Sequence, residues 1–147
     1  MISARRCAAI LGIGLVSACS PTPATALDIC DAVPESDITA LIGEAESVAF
    51  ALDPLAECRW VSIDDPTQEV VVRIETVPDA ELFFEHSIEG TDPDRVQRVD
   101  LAEGAAILDD EAALARVDDQ IVLITGTVDT EQLVPLLEAS VEFISAS

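Results

Sequence analysis

Apolar residues recur along this 147-residue chain with two periods, one of two and one near 3.6. The clearest alternation is EVVVRIETV, Glu69 to Val77. There Val70, Val72 and Ile74 face one way while Arg73 and Glu75 face the other. Its β-branched content predicts a strand with one wetter side. Weaker strands are predicted at Ser47 to Leu52, Arg59 to Ile63 and Val96 to Leu101. Ala112 to Val117 and Ile121 to Val128 predict a hairpin around Asp118-Asp119. Ile121 to Ile124 is apolar on both faces, which predicts a central strand.

Helical spacing appears three times. Ile38, Leu41 and Ile42 share a face behind Ser36 or Asp37, either of which suits an N-cap, and Gly43 suits the C-terminal end. Pro78-Asp79 opens a second helix to about Ile88, with Phe83, Phe84 and Ile88 available for a core; Gly90 to Asp94 breaks it. The last helix, Thr130 to Ile144, carries a stripe of Leu133, Leu136, Leu137, Val141 and Ile144. Pro135 falls near its first turn, where the lost hydrogen bond matters least. Asp64-Asp65-Pro66 marks a turn. These elements predict an α+β domain, an antiparallel sheet with helices packed on it. They include two similar hairpin–helix units, SIDDPTQEVVVRIETVPDAELF and RVDDQIVLITGTVDTEQLV, in which Thr76, Val77 and Leu82 lie 51 residues before Thr127, Val128 and Leu133. An old duplication explains the match, and convergence on a common supersecondary pattern explains it nearly as well.

The N-terminus follows different rules. Arg5 and Arg6 precede an apolar stretch, Cys7 to Leu15, too short to span a bilayer. Leu15-Val16-Ser17-Ala18-Cys19 then reads as a lipoprotein signal, with cleavage after Ala18 and acylation of the new N-terminal Cys19. Several acyl chains on Cys19 hold a protein to a membrane stably where one chain is marginal. Residues 1–18 are thus the signal peptide, 19–26 the lipidated cysteine with an extended Pro/Thr/Ala tether, and 27–147 a single extracytoplasmic domain. Without the signal, 129 residues remain, enough to bury a core.

Composition narrows the partners. The signal removes two of seven basic residues and none of 29 acidic ones, which moves the formal charge from −22 to −24. All seven basic residues are Arg, and the chain has no Lys, Asn or Tyr. Half the residues are apolar, so this is a folded domain with a negative surface, not an acidic tail. Nucleic acid and anionic headgroups are repelled by it, whereas cationic partners are not. Cys30 and Cys58 remain after cleavage and acylation, an even pair in an oxidising compartment, which predicts a disulfide. A loop of about 28 residues closed this way contributes about 3–4 kcal/mol in the chain-entropy description.

Together these residues carry a resemblance. The lipobox, the Pro/Thr tether, Cys30 ahead of a short helix ending ITALIG, and Cys58-Arg59-Trp60 are similar to a family of small secreted lipoproteins common in actinobacteria, whose domain has no assigned function. Family members usually continue with a "GD-A" motif and an "R-GD" hairpin; here these positions read Glu103-Gly104-Ala105-Ala106 and Arg116-Val117-Asp118-Asp119. The resemblance implies a Cys30–Cys58 disulfide with Trp60 packed beside it. It implies no catalytic residue and no known ligand.

Candidate chemistry is thin. His86, the only histidine, ends a predicted helix where a positive charge suits the dipole, and no nucleophile motif surrounds it. The acidic pairs Asp64-Asp65, Asp109-Asp110 (followed by Glu111) and Asp118-Asp119, and Asp92 and Asp94 around Pro93, read as solvated turns. None matches a calcium loop, so no metal ligand is assigned. No Gly-rich phosphate loop is present, and the aromatics are too few for a sugar platform. Arg73, Arg95, Arg98 and Arg116 read as partners of local carboxylates, with Arg73 and Arg116 placed to meet on one sheet face. The expectation is a lipid-anchored, non-catalytic binding module without a cofactor. It would engage a small ligand or an envelope protein at the sheet's exposed face. The competing classes are an accessory structural subunit and a hydrolase using acidic residues.

Overall fold

A computed structural model of the chain describes residues 29–109 and 111–147. The signal peptide, Cys19 and the tether lie outside the described residues. Seven strands form one antiparallel sheet: β1 (Ala45–Leu52), β2 (Leu55–Ser62), β3 (Glu69–Thr76), β4 (Val96–Val99), β5 (Gly104–Leu108), β6 (Ala112–Val117) and β7 (Gln120–Gly126). Their spatial order is β1-β2-β3-β7-β6-β5-β4. The chain therefore builds two meanders, β1–β3 and β4–β7, and joins them through the β3–β7 ladder. Three helices accompany the sheet: α1 (Glu35–Ile42), α2 (Ala80–Glu89) and α3 (Thr130–Ser145). The α+β architecture is the one the sequence predicts.

The helices are shared unequally between the two faces. On the inner face, α3 lays Leu133, Leu136, Leu137 and Val141 over Ala113, Ala115, Val122 and Ile124. Alanines at 105, 113 and 115 keep that surface low, so a leucine-bearing helix can approach closely. The same cluster runs on to Ile38 and Ile42 of α1 and to Cys58, Trp60, Val70 and Val72. On the outer face, α2 sets Ala80 and Phe84 against Ala106, Leu114 and Ile121, covering only the β5–β7 half. Ile121 and Val122 are both buried, as a central strand requires.

The cap of α2 matches expectation: the Asp79 carboxylate accepts from the Leu82 N–H at 3.0 Å. Three details differ. Helix α1 begins at Glu35 behind Pro34, with no side-chain cap, because Ser36 and Asp37 lie inside its first turn and not before it. Phe83 does not join the core. It is 44% exposed while Phe84 is 2% exposed, since adjacent helical positions point about 100° apart and only one can meet the sheet. Strand β5, Gly-Ala-Ala-Ile-Leu, has no sequence-level prediction because its residues lack strand propensity; packing between β4 and β6 makes it a strand.

The two similar segments do form β2–β3–α2 and β6–β7–α3, each a hairpin followed by a helix. Their packing differs. Paired residues in an antiparallel ladder share a face, and β3 meets β7 with Val72 opposite Ile124 and Arg73 opposite Leu123. The 51-residue offset instead aligns Val72 with Leu123, a residue on the other face. Helices α2 and α3 accordingly lie on opposite sides of the sheet, so the likeness is one of pattern and not of packing.

The predicted disulfide is present, with Cys30 and Cys58 Cα atoms 5.2 Å apart. It staples the turn of 3-10 helix at Ile29–Ala32 to β2. Chemical denaturation with and without reductant should show the reduced chain less stable by about 3–4 kcal/mol. Neither cysteine should react with a thiol reagent in the native, unreduced chain; two free thiols would contradict the bridge.

Gly104 sits under the Phe84 ring, where a β-carbon would come within 3.0 Å of Phe84 Cε1. Gly104→Ala should therefore destabilise by about 1–3 kcal/mol through overpacking. Phe84→Leu in the same chain should restore part of that loss. Simple additivity of the two changes in a denaturant titration would refute the contact.

Candidate functional site

The open half of the outer face is built by β1, β2 and β3. Register places four rows across it: Leu52–Leu55–Glu75, Phe50–Glu57–Arg73, Val48–Arg59–Val71 and Glu46–Val61–Glu69. The β1 side chains are exposed although large and apolar: Val48 66%, Phe50 51% and Leu52 68%. The small residues of the same strand, Ala45, Ser47, Ala49 and Ala51, point to the inner face, where Ala45 and Ala51 are half-buried and Ser47 and Ala49 are exposed. A strand of alternating large and small residues ordinarily buries the large ones; here they are left exposed.

The middle of this face carries charge that is largely internally neutralised. Arg73 donates to Glu57 Oε2 from Nη2 at 2.7 Å and from Nε at 3.1 Å. Arg59 Nε lies 3.7 Å from Glu69. Glu46 and Glu75 have no cationic partner among the described residues. The other arginines follow the same rule: Arg95 pairs with Asp109, Arg98 with Glu85 and Arg116 with Glu103. Every described arginine is thus held by a carboxylate, as the sequence reading expects. Arg73 and Arg116 share the outer face but do not meet, since each turns toward its own glutamate and β7 runs between them.

Around the β1 edge, on the inner side, a cavity of about 340 Å³ is lined by Cys30, Asp31, Glu35, Ser47 and Trp60 among others. Trp60 is buried in the same cluster as Cys58, with Cys30 packed against it. Asp31 and Glu35 are exposed at this rim.

The remaining candidates stay apart. His86 is exposed on α2. Asp118-Asp119 forms the β6–β7 turn, and Asp92 caps the short turn ahead of β4 by accepting from the Asp94 N–H at 3.0 Å. Among the described residues, no three His, Cys, Asp or Glu side chains converge as a metal cage. No described helix is long and apolar enough to cross a membrane. No protein-family model, curated protein or solved structure matches this chain.

In the β2–β3 turn, Asp65 Oδ1 accepts from the Thr67 hydroxyl at 2.6 Å and from its N–H at 3.1 Å. The hydroxyl first, then the amide, hold the Asp65 carboxyl below its usual range. A lowered value favours the charged form, so this turn contact is present above the ordinary carboxylate range and lost as pH falls through the lowered value. Thr67→Val should move the Asp65 carboxyl upward in an NMR titration; an unchanged midpoint would remove the hydroxyl as cause.

Proposed function

We propose that this protein is a lipid-anchored, extracytoplasmic, non-catalytic module of the kind its actinobacterial resemblance implies, and that it binds an envelope partner protein on the open half of its sheet. The observation that carries this reading is the row Val48, Phe50 and Leu52, three large apolar side chains exposed on a face that no described helix covers. Monomers rarely leave apolar side chains clustered in this way, and such patches mark interaction sites. The arginines beside the row are already paired with Glu69 and Glu57, so the uncompensated charges a docking surface would meet there are the carboxylates Glu46 and Glu75 at its two ends. Glycoside hydrolysis by acidic residues ordinarily uses two carboxylates that flank the bond in a cleft. Among the described residues, Asp64-Asp65, Asp118-Asp119 and Asp92 with Asp94 stand in turns at separate places in the fold.

Cys19 supplies the anchor in this reading. Cys19→Ser should release the protein from membranes into the soluble fraction, and continued membrane retention would refute the anchor. Native mass spectrometry of the protein gently extracted from its own membranes addresses the partner. A stoichiometric protein mass should accompany the wild type and vanish in the doubly substituted Val48→Lys, Phe50→Lys chain. A bare monomer in both, or the same added mass in both, would refute the surface.

A further inference from the structure

Resting on that reading, we propose that the partner docks by adding a strand to β1, and that its docking segment is extended and alternates apolar with basic residues. Three independent features of the β1 edge meet in this assignment.

The first is the edge itself. The sheet has two. Strand β4 is guarded: four residues long, preceded by Pro93 and carrying exposed Gln97 and Arg98. Such short, charged, proline-flanked edges resist pairing. Strand β1 is longer and less charged for its length, and its nearest proline, Pro54, stands in the turn that joins it to β2. It runs eight residues in unbroken register with β2, without bulge or proline, and its single charge is Glu46 at one end. Its outer backbone groups, unpaired with any strand among the described residues, are a ready template for a further strand.

The second is what an added strand would meet on each face. Toward the outer face it extends the Val48, Phe50 and Leu52 row, where cross-strand apolar pairs stabilise a ladder. Toward the inner face it lies beside the small residues Ser47, Ala49 and Ala51, and its end beside Ala45 and Ser47 comes to the cavity rim that carries the Asp31 and Glu35 carboxylates. The period of two in a strand converts these unlike faces into an alternating requirement, apolar then basic.

The third is charge. Every described arginine is committed to a carboxylate of its own domain, while Asp31, Glu35 and Glu46 have no cationic partner among the described residues. A second copy would bring the same acidic rim and another strongly negative domain, so charge selects a basic strand over self-pairing.

The test uses the full chain carrying Cys19→Ser, labelled with nitrogen-15, and two synthetic peptides, one alternating Val and Arg and one alternating Val and Glu. Titrated to about 1 mM, a range suited to a weak strand contact, the Val/Arg peptide should shift and protect the amides of Ala45–Leu52. The Val/Glu peptide should bind at least about tenfold more weakly, and raising salt from about 0.05 to 0.3 M should weaken the Val/Arg complex several-fold. Val48→Lys with Phe50→Lys, both at exposed positions, should abolish binding. Asp31→Asn with Glu35→Gln should lower affinity several-fold and flatten the salt dependence.

Absent binding, equal binding of both peptides, or shifts confined to other acidic surfaces would overturn the proposal. So would a free chain that sediments as a dimer with β1 amides already protected, which would assign the edge to a second copy. A partner mass retained on native extraction, together with failure of the peptide test, would leave the binding module standing and remove only the added strand.

Discussion

The β3–β7 ladder is the contact on which the rest of the structure depends. It pairs Val70 with Gly126 and Thr76 with Gln120, residues far apart in sequence, and it alone welds the two meanders into one sheet. Closing so long a loop is an entropic cost that local hairpins do not carry. Burial offsets it: Val70, Val72, Val122 and Ile124 are fully enclosed at the junction, and the inner cluster continues across it from Ile38 to Leu137. Both ends of the ladder are finished. The Glu69 N–H donates to the Thr127 hydroxyl at 3.0 Å, and the Val77 N–H donates to the Asp119 carbonyl at 2.8 Å. Uncoupled, β1–β3 would have the disulfide and α1 but no α3 to share its core.

The register of that ladder also decides where the open surface lies. The chain leaves β3 toward the outer face and β7 toward the inner one, so α2 and α3 diverge. Helix α2 then crosses to β5–β7 and does not fold back over the hairpin that precedes it. The outer side of β1–β3 is left uncovered as a consequence of topology. Its ion pairs are partly exposed and each contributes little to stability, at most about 1 kcal/mol. What they do is neutralise charge on β2 and β3 and leave the apolar row of β1 at the rim.

Much of this fold was legible in the sequence. The β-branched run at Val70 to Ile74, the two-sided apolar run at Ile121 to Ile124 and the leucine stripe of α3 each encode burial directly, and the cysteine pair encodes the staple. Strand β5 was not legible, because Gly104, Ala105 and Ala106 are small for a packing reason: Phe84 and α3 need the room. The open surface was the least legible part. Val48, Phe50 and Leu52 look like core residues in any strand, and only the register with β2, which sets Ser47 and Ala49 on the side of Trp60 and Cys58, turns them outward. An exposed sheet face can be expected from alternation, as at Arg73 and Glu75, but which strand lacks a roof among the described residues is a property of connections between elements.

Acidity takes on a sharper meaning once the arginines are located. A formal charge of −22 read from composition speaks of solubility and of which classes of partner are repelled. Located in the fold, the described arginines are all satisfied by neighbouring carboxylates, so the domain's field is carried by acids with nothing to answer them. Such a field acts over roughly a Debye length, about 8 Å at physiological salt, and raises encounter rates without fixing geometry. Geometry must come from short-range features, and a long strand edge bordered by an apolar row offers both hydrogen-bond register and burial. In the proposed complex the two would act on different steps, charge on approach and backbone pairing on residence, so weakening either alone would leave a surface that still meets a partner or still fits it, but not both.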